Sequence, residues 1–97
     1  MGRTMGIVYQ SDQVRAWVDE QNIGHVRMIR RVNFSTLITV IRKVVEAEGE
    51  VTHDTRQVRI YIPISLKAVE SENLRSLIEF SETCCNLRIV VVETDNS

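Results

Sequence analysis

Histidine, cysteine and carboxylate side chains are the groups in this 97-residue chain with the chemistry to act on a substrate or hold a metal. The two histidines, His25 and His53, have no further ligand at metal-binding spacing, so each reads as a structural or surface residue. Cys84 and Cys85 are adjacent. A vicinal disulfide is strained, and no His or basic residue flanks the pair to generate a thiolate. Reduced thiols at a helix end in a cytosolic protein are therefore expected. Glu46, Glu48 and Glu50 alternate near a helix end, where carboxylates are normally solvated. The glycines, at positions 2, 6, 24 and 49, are too scattered for a phosphate-cradling loop. The sequence thus predicts no catalytic residue, no metal and no cofactor, and the chain reads as a non-enzyme.

Two stretches have the chemistry of binding instead. Residues 21–45 carry five basic side chains, Arg27, Arg30, Arg31, Arg42 and Lys43, and no acidic one, although the net charge is −1. Such a block is either an anion-binding surface or a solvated face paired with acids elsewhere in the fold. The second stretch is Glu70-Ser71-Glu72. Ser71 is a good N-cap for a helix with Glu72 in its first turn, and a phosphate added there would meet free N–H groups at the positive end of the helix dipole.

The elements that must position these groups follow from hydrophobic periodicity. Val58, Ile60, Ile62 and Ile64 alternate with Gln57, Arg59, Tyr61 and Pro63, which predicts a half-buried strand ending near Pro63. The run Leu87 to Glu93 is nearly all β-branched, as expected of a strand covered on both faces. Leu74, Leu77, Ile78 and Ser81 fall at helical spacing between them. Ser71 is predicted to start this helix, and Asn86 suits its C-cap. Strand, helix and strand together make a βαβ unit. Upstream, Leu37, Ile38, Ile41, Val44 and Val45 form one apolar helical stripe within 35–48, with Asn33 or Ser35 as cap and Gly49 at the end. Gly6 to Tyr9 has strand-like composition. Residues 11–24 fit either a helix capped by Ser11 or the first arm of a hairpin in which Val14, Ala16 and Val18 alternate with Arg15, Trp17 and Asp19.

Two known architectures can be set against this pattern. The basic segment 25–45, the helix 35–48 and the strand beginning near Arg56 look like the recognition helix and wing of a winged-helix DNA-binding domain, with Arg42 and Lys43 on phosphate or bases. The second resemblance covers residues 14–93 and is to the STAS domain of anti-sigma-factor antagonists. Val32-Asn33-Phe34-Ser35-Thr36 resembles the end of that family's second strand and the start of its first helix. Val58 to Ser65 resembles its central strand, Glu70-Ser71-Glu72-Asn73-Leu74 its Asp-Ser-x-Gly-Leu turn, and Leu87 to Glu93 the following strand. The resemblance implies a hairpin over 14–32, a phosphorylatable serine at Ser71 and a protein partner around that turn.

The fold expected is a single α/β domain: a small mixed sheet of four or five strands with two main helices on it. An apolar content of 43% and a charged content of 26% are ordinary globular values, which favours neither disorder nor a membrane class. The function expected is a cytoplasmic regulatory module that binds a protein, similar to a STAS domain. The alternatives are a DNA-binding regulator, and a structural homodimer or small subunit.

Overall fold

The computed structural model describes residues 6–48, 56–84 and 87–94. Five strands, β1 (Gly6–Gln10), β2 (Val14–Val18), β3 (Gly24–Met28), β4 (Arg56–Pro63) and β5 (Leu87–Thr94), form one sheet in sequence order. β1 and β3 each pair antiparallel with β2, and β4 pairs parallel with both β3 and β5. Helix α1 (Phe34–Glu48) links β3 to β4, and helix α2 (Ile64–Cys84) links β4 to β5. The expected α/β fold is thus the observed one. No helix among the described residues is long and apolar enough to cross a membrane.

Residues 14–28 form the hairpin rather than the helix. Ser11 serves the turn before β2, where its hydroxyl oxygen accepts from the N–H of Gln13 (3.1 Å). The loop between β2 and β3 is built by Asp19, whose Oδ1 accepts from the N–H of Gln21 (2.9 Å) and of Ile23 (3.0 Å). Asn22 takes the left-handed conformation there, with φ of 66°, which Asn tolerates better than most residues because its short side chain bonds locally. Asn33 caps α1: its Oδ1 accepts from the N–H of Thr36 (2.9 Å), and its carbonyl takes the first helical bond from Leu37. The C-terminal positions expected at Gly49 and Asn86, like His53 and Cys85, lie outside the described residues.

The core lies on one side of the sheet. Val14 and Ala16 of β2, Val26 and Met28 of β3, Val58, Ile60 and Ile62 of β4, and Leu87 and Ile89 of β5 all point to it. Both helices pack there, α1 with Leu37, Val40, Ile41 and Val44, and α2 with Leu74 and Leu77. The two crossovers run in the same direction along the sheet and share one hand, so they fall on the same face. The result is two layers, helices on one side and a sheet whose other face carries no described element.

Three expectations are corrected. First, α2 begins at Ile64, directly after Pro63, not at Ser71. Leu66, Lys67 and neighbouring helix formers extend it backwards, so Ser71 and Glu72 are exposed about two turns inside the helix. Ser71 caps nothing, and its N–H belongs to the helical ladder. Glu70 lies in the same interior. Second, Ile64 does not continue the buried alternation: as the first residue of α2 it is half exposed. Third, β5 is an edge strand covered on one face only. Leu87 and Ile89 are buried while Arg88 is exposed and Val90 and Val92 are half-buried. Its β-branched residues express strand propensity, which does not by itself require a second covering layer.

Candidate functional site

The alternation that buries Val14, Ala16, Val26, Val58 and Ile60 turns their neighbours onto the open face. Strand register then arranges these neighbours in rows. Ile7, Trp17, His25, Arg59 and Val90 are successive cross-strand partners, and Gln10, Arg15, Arg27, Tyr61 and Val92 form the next row. Arg88, beside Gln57, belongs to a third. The face therefore carries one arginine from each of β2 to β5, and all four are exposed. No strand position on it holds a carboxylate.

Three rings stand at the centre. Trp17 and His25 lie with centroids 5.2 Å apart and planes 11° from parallel; His25 and Tyr61 are at 5.7 Å and 21°, Trp17 and Tyr61 at 6.2 Å and 10°. Each such contact is worth about 0.5–1.5 kcal/mol beyond area burial. Side chains stand roughly perpendicular to a sheet, so neighbouring strands bring these rings flank to flank. Each covers part of another's flat surface.

His25 is only 8% exposed, so both ring nitrogens need partners, and both have one. Nε2 lies 2.8 Å from Asp19 Oδ2, and Nδ1 lies 2.8 Å from the Tyr61 hydroxyl. A carboxylate only accepts, so in neutral His25 the proton sits on Nε2, and Nδ1 accepts from the Tyr61 O–H. Partial burial pushes the Asp19 carboxyl up. The hydrogen bonds from His25 and from the Ile23 and Gln21 N–H groups outweigh this and hold it below its ordinary value. One carboxylate thus shapes the hairpin loop, orients the imidazole and, through it, directs the phenol.

The residues singled out from sequence do not converge. Arg27 lies on the open face. Arg30 and Arg31 follow β3 in the link to α1, and both are exposed. Arg42 and Lys43 are on α1, in the helical layer across the sheet; Arg42 lines a groove of about 200 Å³ with Ile38, Ile41, Val45, Phe80 and Leu87. The basic block is therefore spread over two sides of the molecule. β4 lies between two parallel neighbours rather than in a two-stranded wing. Ser71 and Glu72 sit on α2, also away from the open face. No sequence motif points to the network of Asp19, His25, Tyr61 and Trp17, although alternation turns Tyr61 outward, and Trp17 too in the hairpin alternative for 11–24. Pairing His25 with Trp17 needs the hairpin register.

Among the described residues no group of three or more His, Cys, Asp or Glu side chains could hold a metal ion. No protein-family model matches the chain, and no curated protein or solved structure shows significant similarity to it.

Proposed function

We propose that this chain is a non-enzymatic regulatory module that binds a protein partner, and that the partner presents an acidic surface to the open sheet face. The observation that carries this reading is the company of Arg15, Arg27, Arg59 and Arg88 around Trp17 and Tyr61, without a carboxylate on the strands of that face. Tryptophan, tyrosine and arginine are the residue types that concentrate binding energy at protein interfaces. The rest of the chain holds more acids than bases, so an acidic partner is guided to this side. Kinship with STAS domains remains part of the proposal and rests on the motifs at 32–36, 58–65 and 87–93, not on the turn expected at 70–74. The switch at the Ser71 turn is not retained, because Ser71 lacks the free helix end on which it depended.

Photo-crosslinking in cells tests the reading. A photoreactive residue at Gln57 or Val92, on the open face, is expected to capture a discrete protein; one at Glu79 on α2 is not. Arg27→Glu should abolish the capture. Equal capture from both layers, or capture indifferent to Arg27→Glu, rejects the open face as the docking surface. Fluorescence anisotropy with duplex DNA checks the nucleic-acid alternative, which requires an affinity falling steeply with salt.

A further inference from the structure

From the placement of Arg15 and Arg27 we infer that the open face recognises a phosphoryl group on the partner, held between these two guanidiniums; this rests on the reading of that face as a docking surface. The two residues are direct cross-strand partners on β2 and β3. Directly opposed side chains have Cβ atoms about 4.5–5.5 Å apart, and like charges so placed repel. Among the described residues neither makes an ion pair. Arg59, in register with His25 and on the same face, adds a third positive charge; its Nε–H donates to Gln57 Oε1 (3.3 Å), leaving the terminal nitrogens for a ligand. A dianion seated between Arg15 and Arg27 converts their repulsion into two charge-assisted, potentially bidentate contacts, which suit the planar guanidinium and the phosphoryl oxygens. With His25 neutral, the Tyr61 hydroxyl donates to His25 Nδ1 and is not the donor to the ligand.

Phosphate on a protein fits better than phosphate in a nucleic acid. Single-strand binding needs ring faces on which bases can stack, and here Trp17, His25 and Tyr61 each spend part of a face on the other two. A long polyanion would also run from this face onto the chain's acidic remainder.

Trp17 is the only tryptophan and stands one row from the site, so its emission reports occupancy in the intact chain. The probes are inorganic phosphate, a short uncharged peptide containing phosphoserine, the same peptide with serine or glutamate, and oligothymidylates of two lengths. Saturable changes are expected with inorganic phosphate and the phosphopeptide, the latter binding at least about 10-fold more tightly than the serine peptide. Arg15→Gln and Arg27→Gln should each weaken phosphopeptide binding about 10-fold, with far-UV circular dichroism and thermal midpoint retained, and Arg42→Gln should leave it unchanged. Equal affinity for the serine and phosphoserine peptides, no saturable response at low salt, or indifference to Arg15→Gln and Arg27→Gln overturns the inference. Tighter binding of the longer oligothymidylate, with a steeper salt dependence, assigns the site to nucleic acid instead. If the phosphate response is absent while cross-linking from the open face survives phosphatase treatment, the inference falls and the docking surface stands; absence of cross-linking from the open face before any treatment rejects both.

Discussion

Replacing Asp19 by alanine probes a side chain that holds three hydrogen bonds. Its Oδ1 accepts from two loop N–H groups and its Oδ2 from His25. In Asp19→Ala the His25 Nε2–H loses its acceptor in a site only 8% exposed, which costs about 1–2 kcal/mol. The N–H of Gln21 is exposed and turns to water at little cost, whereas that of Ile23 is half-buried and adds a few tenths. The expected total is about 2 kcal/mol, or a midpoint lowered by roughly 8–16 °C for a chain of this size. Asp19→Asn should cost less, roughly 1 kcal/mol, because its amide oxygen can keep the loop bonds while its NH₂ faces His25. That arrangement moves the imidazole proton to Nδ1 and makes Tyr61 the acceptor. The pH dependence separates charge from shape. The Asp19 carboxyl is held below its ordinary value, so its contribution is complete above about pH 4 and is lost as pH falls through the lower folded value. Both variants should flatten this acid limb. Urea unfolding followed by Trp17 emission, repeated from pH 7 to pH 2.5, measures both effects. An Asp19→Ala stability within about 0.5 kcal/mol of the parent, with an unchanged acid limb, would refute the network's role.

Other expectations follow from burial and capping. Leu77, fully buried beneath the sheet on α2, should cost about 2–5 kcal/mol as Leu77→Ala in equilibrium denaturation, since the cavity adds to the lost transfer energy. Asn33→Ala removes the α1 cap and should lower stability by about 1 kcal/mol by the same measurement. Ser71→Ala should shift the urea midpoint by no more than about 0.5 kcal/mol equivalent; a loss near 1 kcal/mol would restore Ser71 as a cap. Tyr61→Phe deprives His25 Nδ1 of its donor and should cost about 1 kcal/mol, with a change in the imidazole nitrogen NMR shifts.

Much of the scaffold is legible along the chain because it depends on local periodicity. The alternation from Val58 to Ile62 names the inward side of β4. The apolar stripe of α1 with Asn33 before it names a helix and its cap. Position Ser71 shows where this legibility ends. A serine followed by glutamate has the chemistry of a helix start, and nothing local shows that a helix already begins at Ile64. That start depends on where Pro63 releases the chain from the ladder. The β-branched run of β5 is similarly ambiguous, because strand propensity is the same for an edge strand and a central one.

The sequence by itself determined which side chains share a face of each strand, since successive residues of an extended chain point to opposite sides. It placed Arg59 and Tyr61 opposite the core residues of β4, and Arg15 and Trp17 opposite Val14 and Ala16 only in the hairpin alternative for 11–24. Tertiary structure alone decided that these positions would meet, and that no described element would cover them. The Asp19 loop sets the register that puts His25 beside Trp17, and parallel pairing brings Tyr61 alongside. Both crossovers share one hand, so both helices fall on the same side and the arginine-rich face stays open. Register and crossover hand relate residues distant in the chain, and for that reason no local pattern of residues discloses them.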